Sequence, residues 1–406
     1  MATQKNIAII GAGLSGLVLA LSLHQQGIAS QVYEVRDAPL DIGGAITLSP
    51  NALKILKKLG IYEPVLREGY QCEAFHFRTQ DGQPFDDYEI GSVEKYGYPG
   101  LRIYRKVLIR ELQAECRKKG IQVTFGKKFA RILSESDTAV TWEFEDGTRG
   151  EADSLVGADG IHSRVRSYLH PGLEPDFMNV LAIGAAIPTS RVQLPHGWTF
   201  PVTIMSQCHG AYILAPNLSD GSELVIVKQR RIEEHDRAGW KKILDDKEGN
   251  IAFLREGAGA FPDVVSQAVE AITPDSVMIW PFYQVPKMDR WTSARGRVSI
   301  LGDAAHAIPP SSGQGANQVF EDAYTFALMR ARCQEATTLT SVLSKWQRGR
   351  QERIDRLIVL ARQMNVRRLP ESSNPGAEEV IGGEDFNMGW LLNPDLEKMV
   401  DEWLAM

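Results

Sequence analysis

Apolar and polar positions along the chain follow two periods. A short apolar run, Lys5 to Ile10, empties into Gly11-Ala12-Gly13-Leu14-Ser15-Gly16. A segment of helical period follows over Leu17 to Gln26, and a second apolar run ends in Gln31-Val32-Tyr33-Glu34. The pattern predicts strand, glycine turn, helix, strand and a closing acid. Further on, Ile42 to Leu48 reads as a glycine-rich extended segment, and Ala52 to Leu59 as an amphipathic helix capped by Ser49 or Asn51 and ended by Gly60. Gln71 to Tyr88 alternates around Asp81-Gly82, a hairpin signal. Gly100 to Arg105 leads into a helix over Lys106 to Lys119. Strands follow at Ile121–Phe125, Phe129–Leu133, Ala139–Phe144 and Gly150–Val156, with a turn at Glu145-Asp146-Gly147.

From Val180 to Pro286 the texture changes to β-branched and aromatic strands, among them Val202–Met205, Ala211–Leu214, Glu223–Val227 and Val277–Phe282. Helices near Asp236–Leu244 and Pro262–Ala271 interrupt them. This reads as a sheet laid down as a separate lobe. A buried strand, Arg297 to Leu301, then precedes Gly302-Asp303, a prolyl loop through Pro309-Pro310, and Gly313-Gln314-Gly315-Ala316-Asn317 opening a helix over Gln318 to Arg332. Ser341 to Arg368 is one long charged helix ended by Pro370. Residues 371–383 read as a surface linker, and Trp390 to Trp403 as a final helix docked by its tryptophans.

Composition narrows the class. The 406 residues have room for two or three domains, and 43% apolar content is ordinary for a globular enzyme. A net charge of −6 gives no basic face for nucleic acid. Four scattered cysteines form no CxxC and suggest reduced thiols rather than disulfides or a metal site. No leader is visible, and the longest apolar stretch, Leu17 to Leu23, is far short of the about 20 residues that span a bilayer. The expectation is a cytoplasmic enzyme without a membrane span.

The chemistry lies in the loops. Gly11 permits a tight turn, Gly13 lets backbone approach a pyrophosphate, and Gly16 lets the helix sit close on the sheet. The helix start attracts phosphates. Glu34 closes the second strand where a carboxylate accepts from ribose hydroxyls, and its charge opposes a 2′-phosphate. Gly43-Gly44 is either a β-bulge or a close approach to a flat ligand. Arg105, at a helix start disfavoured for cations, either answers a nearby anion or is a solvated surface arginine. Asp159, in Gly157-Ala158-Asp159-Gly160, is by spacing alone a turn or cap residue, and His306 either a structural histidine or an acid–base catalyst.

Three motifs in this order resemble the FAD-dependent aromatic hydroxylases, the single-component flavoprotein monooxygenases, and the whole, including Gly43-Gly44-Ala45-Ile46 followed by Pro50-Asn51-Ala52, looks most like their salicylate-hydroxylase-like branch. The motifs are Gly11-x-Gly13-x-x-Gly16 with Glu34; Asp159-Gly160-x-x-Ser163-x-x-Arg166; and Gly302-Asp303-Ala-Ala-His306-x-x-Pro309 running into Gly315-Ala316-Asn317. The similarity extends from about Lys5 to Asn365.

The resemblance implies an α/β fold: a Rossmann-type FAD-binding domain of the para-hydroxybenzoate-hydroxylase kind, an interleaved β-rich substrate lobe and a long C-terminal helix. The expected division is 1–70, 98–178 and 290–335 for FAD, 71–97 and 179–289 for the substrate lobe, and 336–406 for the helical end. It further implies FAD as cofactor, NADPH or NADH and O2 as co-substrates, and oxygen insertion into an aromatic or other electron-rich small molecule through a flavin hydroperoxide. Glu34 would hold the adenosine ribose, Arg105 would contact FAD, and Asp303 would accept from the ribitol. Gly315, Ala316 and Asn317 would offer N–H groups to the pyrimidine edge, Gly43-Gly44-Ala45 would pass over the ring, and Asp159, Ser163 and Arg166 would tie the domain together.

The branch often activates its substrate with an arginine on the first strand of the lobe and a tyrosine further on. Here that strand, Leu181 to Pro188, holds no arginine before Arg191, and Tyr212 is the nearest tyrosine. Arg191 and Tyr212 are therefore the candidates. Trp198, Phe200, Met205 and Phe282 are either pocket lining or core. A flavin reductase on the same scaffold and a non-catalytic flavin-binding protein are the alternative readings.

Overall fold

The computed structural model describes residues 6–39, 43–333, 338–370, 372 and 388–406. Residues 40–42, the last of which opens the expected glycine-rich segment, and nearly all of the expected linker lie outside the described residues. Among the described residues, five strands form a parallel sheet in the order Val298–Ile300, Ser154–Gly157, Asn6–Ile10, Ala29–Tyr33, Gln122–Thr124. Parallel sheets are covered on both faces, and Ile7, Ile9, Leu155, Val156 and Ile300 are all fully buried. The helix Leu14–Gln25 follows the glycine turn, and Leu17 to Leu23 along it are all buried. Its apolar residues run right round it because it packs on neighbouring helices as well as on the sheet.

A second sheet of seven strands runs in the order Val277–Gln284, Asp176–Pro188, Glu223–Arg231, Gly210–Pro216, Val202–Ser206, Ala74–Thr79, Pro84–Glu89. The hairpin around Asp81-Gly82, with Gly82 at φ +89°, thus joins the strands of the later lobe. Register fixes which side chains share a face. Ala182 is opposite both Gln229 and Trp280, while Tyr212 is opposite Lys228 on the other face. That other face, with Leu181, Ile183 and Leu214, is covered by the helices Lys247–Arg255 and Asp263–Glu270. The face carrying Ala182 and Trp280 looks back towards the glycine loops: a Cβ placed on Gly44 would lie 3.1 Å from the Trp280 ring.

The long helix Leu339–Arg368 lies across this second face. Leu357, Leu360 and Met364 pack on Phe77 and Tyr88, and Leu369 beyond it packs on Val180, Ala182 and Phe282.

Several boundaries differ from expectation for local reasons. Both glycine-loop helices start three residues early, at Leu14 and Gly315, because their glycines sit inside the first turn rather than before it. The last helix is two, Gly389–Leu392 and Leu396–Ala405, divided at Pro394, which disfavours helical backbone in the residue before it. Of its tryptophans, Trp403 is the buried one, against Gly349, where any side chain would collide with the indole.

Candidate active site

Three loops meet at the carboxyl ends of the parallel strands. At the first, Gly11 has φ +110°, and a Cβ on it would fall 2.3 Å from the Ala158 carbonyl oxygen. A Cβ on Gly16 would fall 1.9 Å from the Gly11 oxygen. Gly13 is different: nothing lies within 4 Å of where its Cβ would be, so its missing side chain leaves open space over an uncapped helix start. Glu34 is buried at the edge of this space. Its Oε2 accepts the Ala12 N–H at 2.8 Å, and its Oε1 accepts from Arg36 N and Nη1, both at 3.1 Å.

The second loop is internally tied. The Asp159 carboxylate accepts from the Ser163 hydroxyl at 2.5 Å and from the N–H groups of Arg164 and Val165 at 2.8 and 3.2 Å. Burial raises its pKa against the pull of those donors. Ser163 is the cap of the helix Arg164–Leu169, its hydroxyl accepting the Arg166 N–H at 2.9 Å, and Asp159 holds that cap and the first two N–H groups of the helix. Arg166, 1% exposed, donates to the carbonyls of Ile161 and Ala304, stitching this loop to the third.

In the third loop Gly302, at φ +62°, abuts Ser15 of the first helix. Asp303 follows, half-buried, and among the described residues its carboxylate accepts no hydrogen bond. Beyond Pro309 and the turn Pro310–Ser312, the helix Gly315–Ala331 begins without a side-chain cap, so the N–H groups of Gly315, Ala316 and Asn317 point out unsatisfied. The Asn317 side chain fixes this helix start. It donates to the carbonyls of Thr47 and Gly313 and accepts the Ser49 N–H at 2.8 Å, joining segments 270 residues apart in the chain. Ser49 and Asn51 do not cap their own helix, Pro50–Leu59. Ser49 bonds to Gln314, and the Asn51 amide donates to Glu321 at 2.7 Å.

Gly43, at φ +123°, passes beside Arg105, which is exposed and whose N–H meets the Gly44 carbonyl at 3.3 Å; the strand Ala45–Leu48 follows. The flat neighbour of Gly44 within this chain is the Trp280 indole. His306 is structural: its Nε2 lies 2.5 Å from Asp322 Oδ2, which also accepts the Gly302 N–H.

Gly302 abuts Ser15 of the first helix, Asn317 ties the third loop to Thr47 and Ser49, and the open space beside Gly13 and Gly315, where nothing lies within 4 Å of an added Cβ, is the groove between these loops. Gly44 rests against Trp280, on the sheet face that also carries Ala182 and Val227. The structure does not bring Arg191 or Tyr212 there. Arg191 is exposed on the turn Thr189–Arg191. Tyr212 is fully buried on the opposite sheet face, its hydroxyl donating to the Leu254 carbonyl at 2.7 Å, and burial raises its pKa. Trp198 and Phe200 pack with that same far-side core, whereas Phe282 faces the groove side with Ala182 and Leu369.

The family model described as "FAD binding domain" matches residues 4–359. The chain is also 31% identical over 334 residues to 3-amino-4-hydroxybenzoate 2-monooxygenase PtmB3 of Streptomyces platensis, covering 80% of this chain and 79% of that one. The chain belongs to the FAD-dependent aromatic hydroxylase family. A second relative, 6-hydroxynicotinate 3-monooxygenase of Bordetella bronchiseptica, is 29% identical, covering 80% of this chain and 82% of its own. The fold matches a salicylate hydroxylase substrate complex at TM-score 0.79 and 20% identity, covering 99% of this chain and 98% of that one.

This hydroxylase is therefore an FAD-dependent monooxygenase that uses O2 and NAD(P)H. Among its described residues no helix is long and apolar enough to cross a membrane. What the sequence did not reveal is the wall of the groove. Gln229 and Trp280 flank Ala182, and Leu369 beyond the end of the long helix packs on the same residue, only through strand register and packing.

Proposed function

We propose that the enzyme places one oxygen atom of O2 on an aromatic or comparably electron-rich small molecule lying between the groove and the face carrying Val227 and Trp280. What supports this reading is the uncapped helix start at Gly315, the Asp303 carboxylate without a partner among the described residues, and the apolar sheet face that Gly44 meets at Trp280. Relatives named for hydroxybenzoate and hydroxynicotinate support the substrate class. When bound, FAD supplies the redox chemistry, taking electrons from NAD(P)H and passing oxygen to the ring.

The chain's own residues bind and orient. Glu34 would accept from the adenosine ribose, with Gly11, Gly13 and Gly16 shaping the pyrophosphate turn. Arg105 would answer the nucleotide's negative charge, and Asp303 would accept from the ribitol. The N–H groups of Gly315, Ala316 and Asn317 would meet the ring's pyrimidine edge, where the positive helix end stabilises negative charge. Ala45, after the two glycines, would border the ring. Asp159 would act through Ser163 and Arg166 by holding the loops in register. The apolar wall excludes water from the reacting centre.

We extend the proposal to the division of the chain given above, with 71–97 and 179–289 as the substrate lobe, and to a cytoplasmic location, in keeping with Cys72, Cys116 and Cys208, which form no disulfide.

The test is turnover of hydroxylated and amino-substituted aromatic acids with NADH or NADPH under ¹⁸O2. One labelled oxygen per product molecule is expected; product formed without label overturns the reading in favour of a reductase. Glu34→Ala is expected to weaken FAD binding by about 10- to 100-fold, because a charged acceptor of ribose hydroxyls is lost. Equilibrium dialysis measures it, and an unchanged Kd removes Glu34 from the ribose.

A further inference from the structure

The long helix ends by burying a cation that no carboxylate among the described residues faces. Arg368, its last residue, is 8% exposed. Its Nη1 donates to the Ser311 carbonyl at 2.9 Å, and its Nε is buried without an acceptor. The ionisable group that acts on it is the phenol of Tyr88, whose hydroxyl donates to the neighbouring Ser312 carbonyl. Burial pushes its pKa down, to about 10, against the opposing pull of Tyr88. The contrast is with Arg350 and Arg353 on the same helix, equally buried but set against Glu321 and Asp322. A buried unpaired charge is costly, so such a group marks a place where an anion arrives.

Its surroundings carry the same signature. Asn365, one turn earlier on the same helix face, has a buried Oδ1 without a partner, and so does the Ser312 hydroxyl on the turn beside it. From the sheet, Thr203 Oγ1 and Gln229 Oε1 are buried and unpaired as well. Gln229 lies on the face of Ala182 and Trp280, and Thr203 on that of Phe77, which packs under the long helix. Leu369, the next residue after Arg368, rests on Ala182 and Phe282, so the helix end meets this face directly. Unpaired donors and acceptors beside flat apolar side chains suit an aromatic ring with one anionic and one neutral polar substituent.

We propose that Arg368 receives the anionic oxygen substituent of the aromatic substrate, with the acceptor Oδ1 of Asn365 beside it left for a neutral donor substituent, so that the C-terminal helix rather than an arginine on the sheet selects for charge. This rests on the reading that the groove takes an aromatic substrate.

The test uses FAD-loaded enzyme and Arg368→Gln, titrated with benzoate, 4-nitrophenolate and benzamide while the visible flavin absorbance is followed. Benzoate and 4-nitrophenolate separate a carboxylate from a phenolate, and benzamide is the neutral control. At least one anion is expected to bind the native enzyme and to weaken by about 10- to 100-fold in Arg368→Gln, with benzamide changed less than about threefold. Arg368→Lys, with full FAD content, is expected to keep the preference for anions in part. The proposal is overturned if anion and amide weaken alike, if Arg368→Gln binds the anion as well as the native enzyme, or if no aromatic anion binds the native enzyme. Should one of these occur while ¹⁸O still enters product, the monooxygenase reading stands and only Arg368 is dismissed; absence of label with every ring compound dismisses the reading itself.

Discussion

Asp303→Ala is expected to purify as a folded, largely colourless protein. The carboxylate stands at the carboxyl end of the strand Val298–Ile300, half-buried, and makes no hydrogen bond to the described protein. Removing it therefore leaves no protein donor unsatisfied, and the apo form should unfold at the same denaturant midpoint as native apoprotein. The bound cofactor, by contrast, loses a charged acceptor for its ribitol hydroxyls, worth about 1.5–3 kcal/mol for each such bond. Two such bonds give a loss on the order of a thousandfold in affinity, enough to strip FAD during chromatography. The absorbance of the purified protein in the visible flavin bands measures the effect. A full flavin spectrum at unit stoichiometry would remove Asp303 from the cofactor.

The second large effect is on stability. Arg350 is fully buried and donates to Asp322 Oδ1 at 2.7 Å, to Glu321 Oε2 at 2.5 Å and to Gln318. Glu321 is shared with Arg353 and Asn51, and Asp322 with His306 and the Gly302 N–H. Burial on its own would raise both carboxyls. The guanidinium groups of Arg353 and Arg350 over-compensate for Glu321, and His306 with Arg350 does so for Asp322, so both are held below their ordinary values.

Arg350→Met leaves buried carboxylates under-compensated, and a loss of about 3–5 kcal/mol is expected at neutral pH. The sign of the pH dependence follows. A depressed carboxyl contributes stability that is present above its unfolded pKa, near ~4, and lost as pH falls through the lower folded value. In the variant that depression is relieved. The gap between native and variant enzyme should therefore be full at pH 7 and narrow below pH ~4. Unfolding curves at both pH values, with FAD saturating, measure it; a gap independent of pH would show that the loss is one of packing instead.

The same network explains why the third loop was only partly legible in the sequence. Gly302-Asp303 and Gly315-Ala316-Asn317 stand out because glycine loops beside helix starts have a local backbone reason. His306 and Glu321 look like separate polar residues until packing joins them through Asp322 and Arg350. Arg191 and Tyr212 were selected by residue type and neighbourhood, and neither criterion contains parity. Tyr212 stands opposite Lys228, which puts it on the face turned away from Trp280. Ser49 and Asn51 show the same limit: a cap motif in sequence became a cross-chain tie once Gln314 and Glu321 came within reach.

The amino-acid sequence by itself determined the nucleotide grammar of this enzyme: the turn that needs Gly11 and Gly16, the acid at Glu34, the order of three loops and the helix starts they feed. Each depends on backbone conformations and spacings within a few residues, which composition and period encode directly. Only the tertiary structure decided which face of the seven-stranded sheet meets the groove, where Arg368 ends, and which buried charges are paired. Those outcomes depend on strand register and on contacts between segments hundreds of residues apart, and alternation along a strand specifies two faces without saying which one a distant helix will cover.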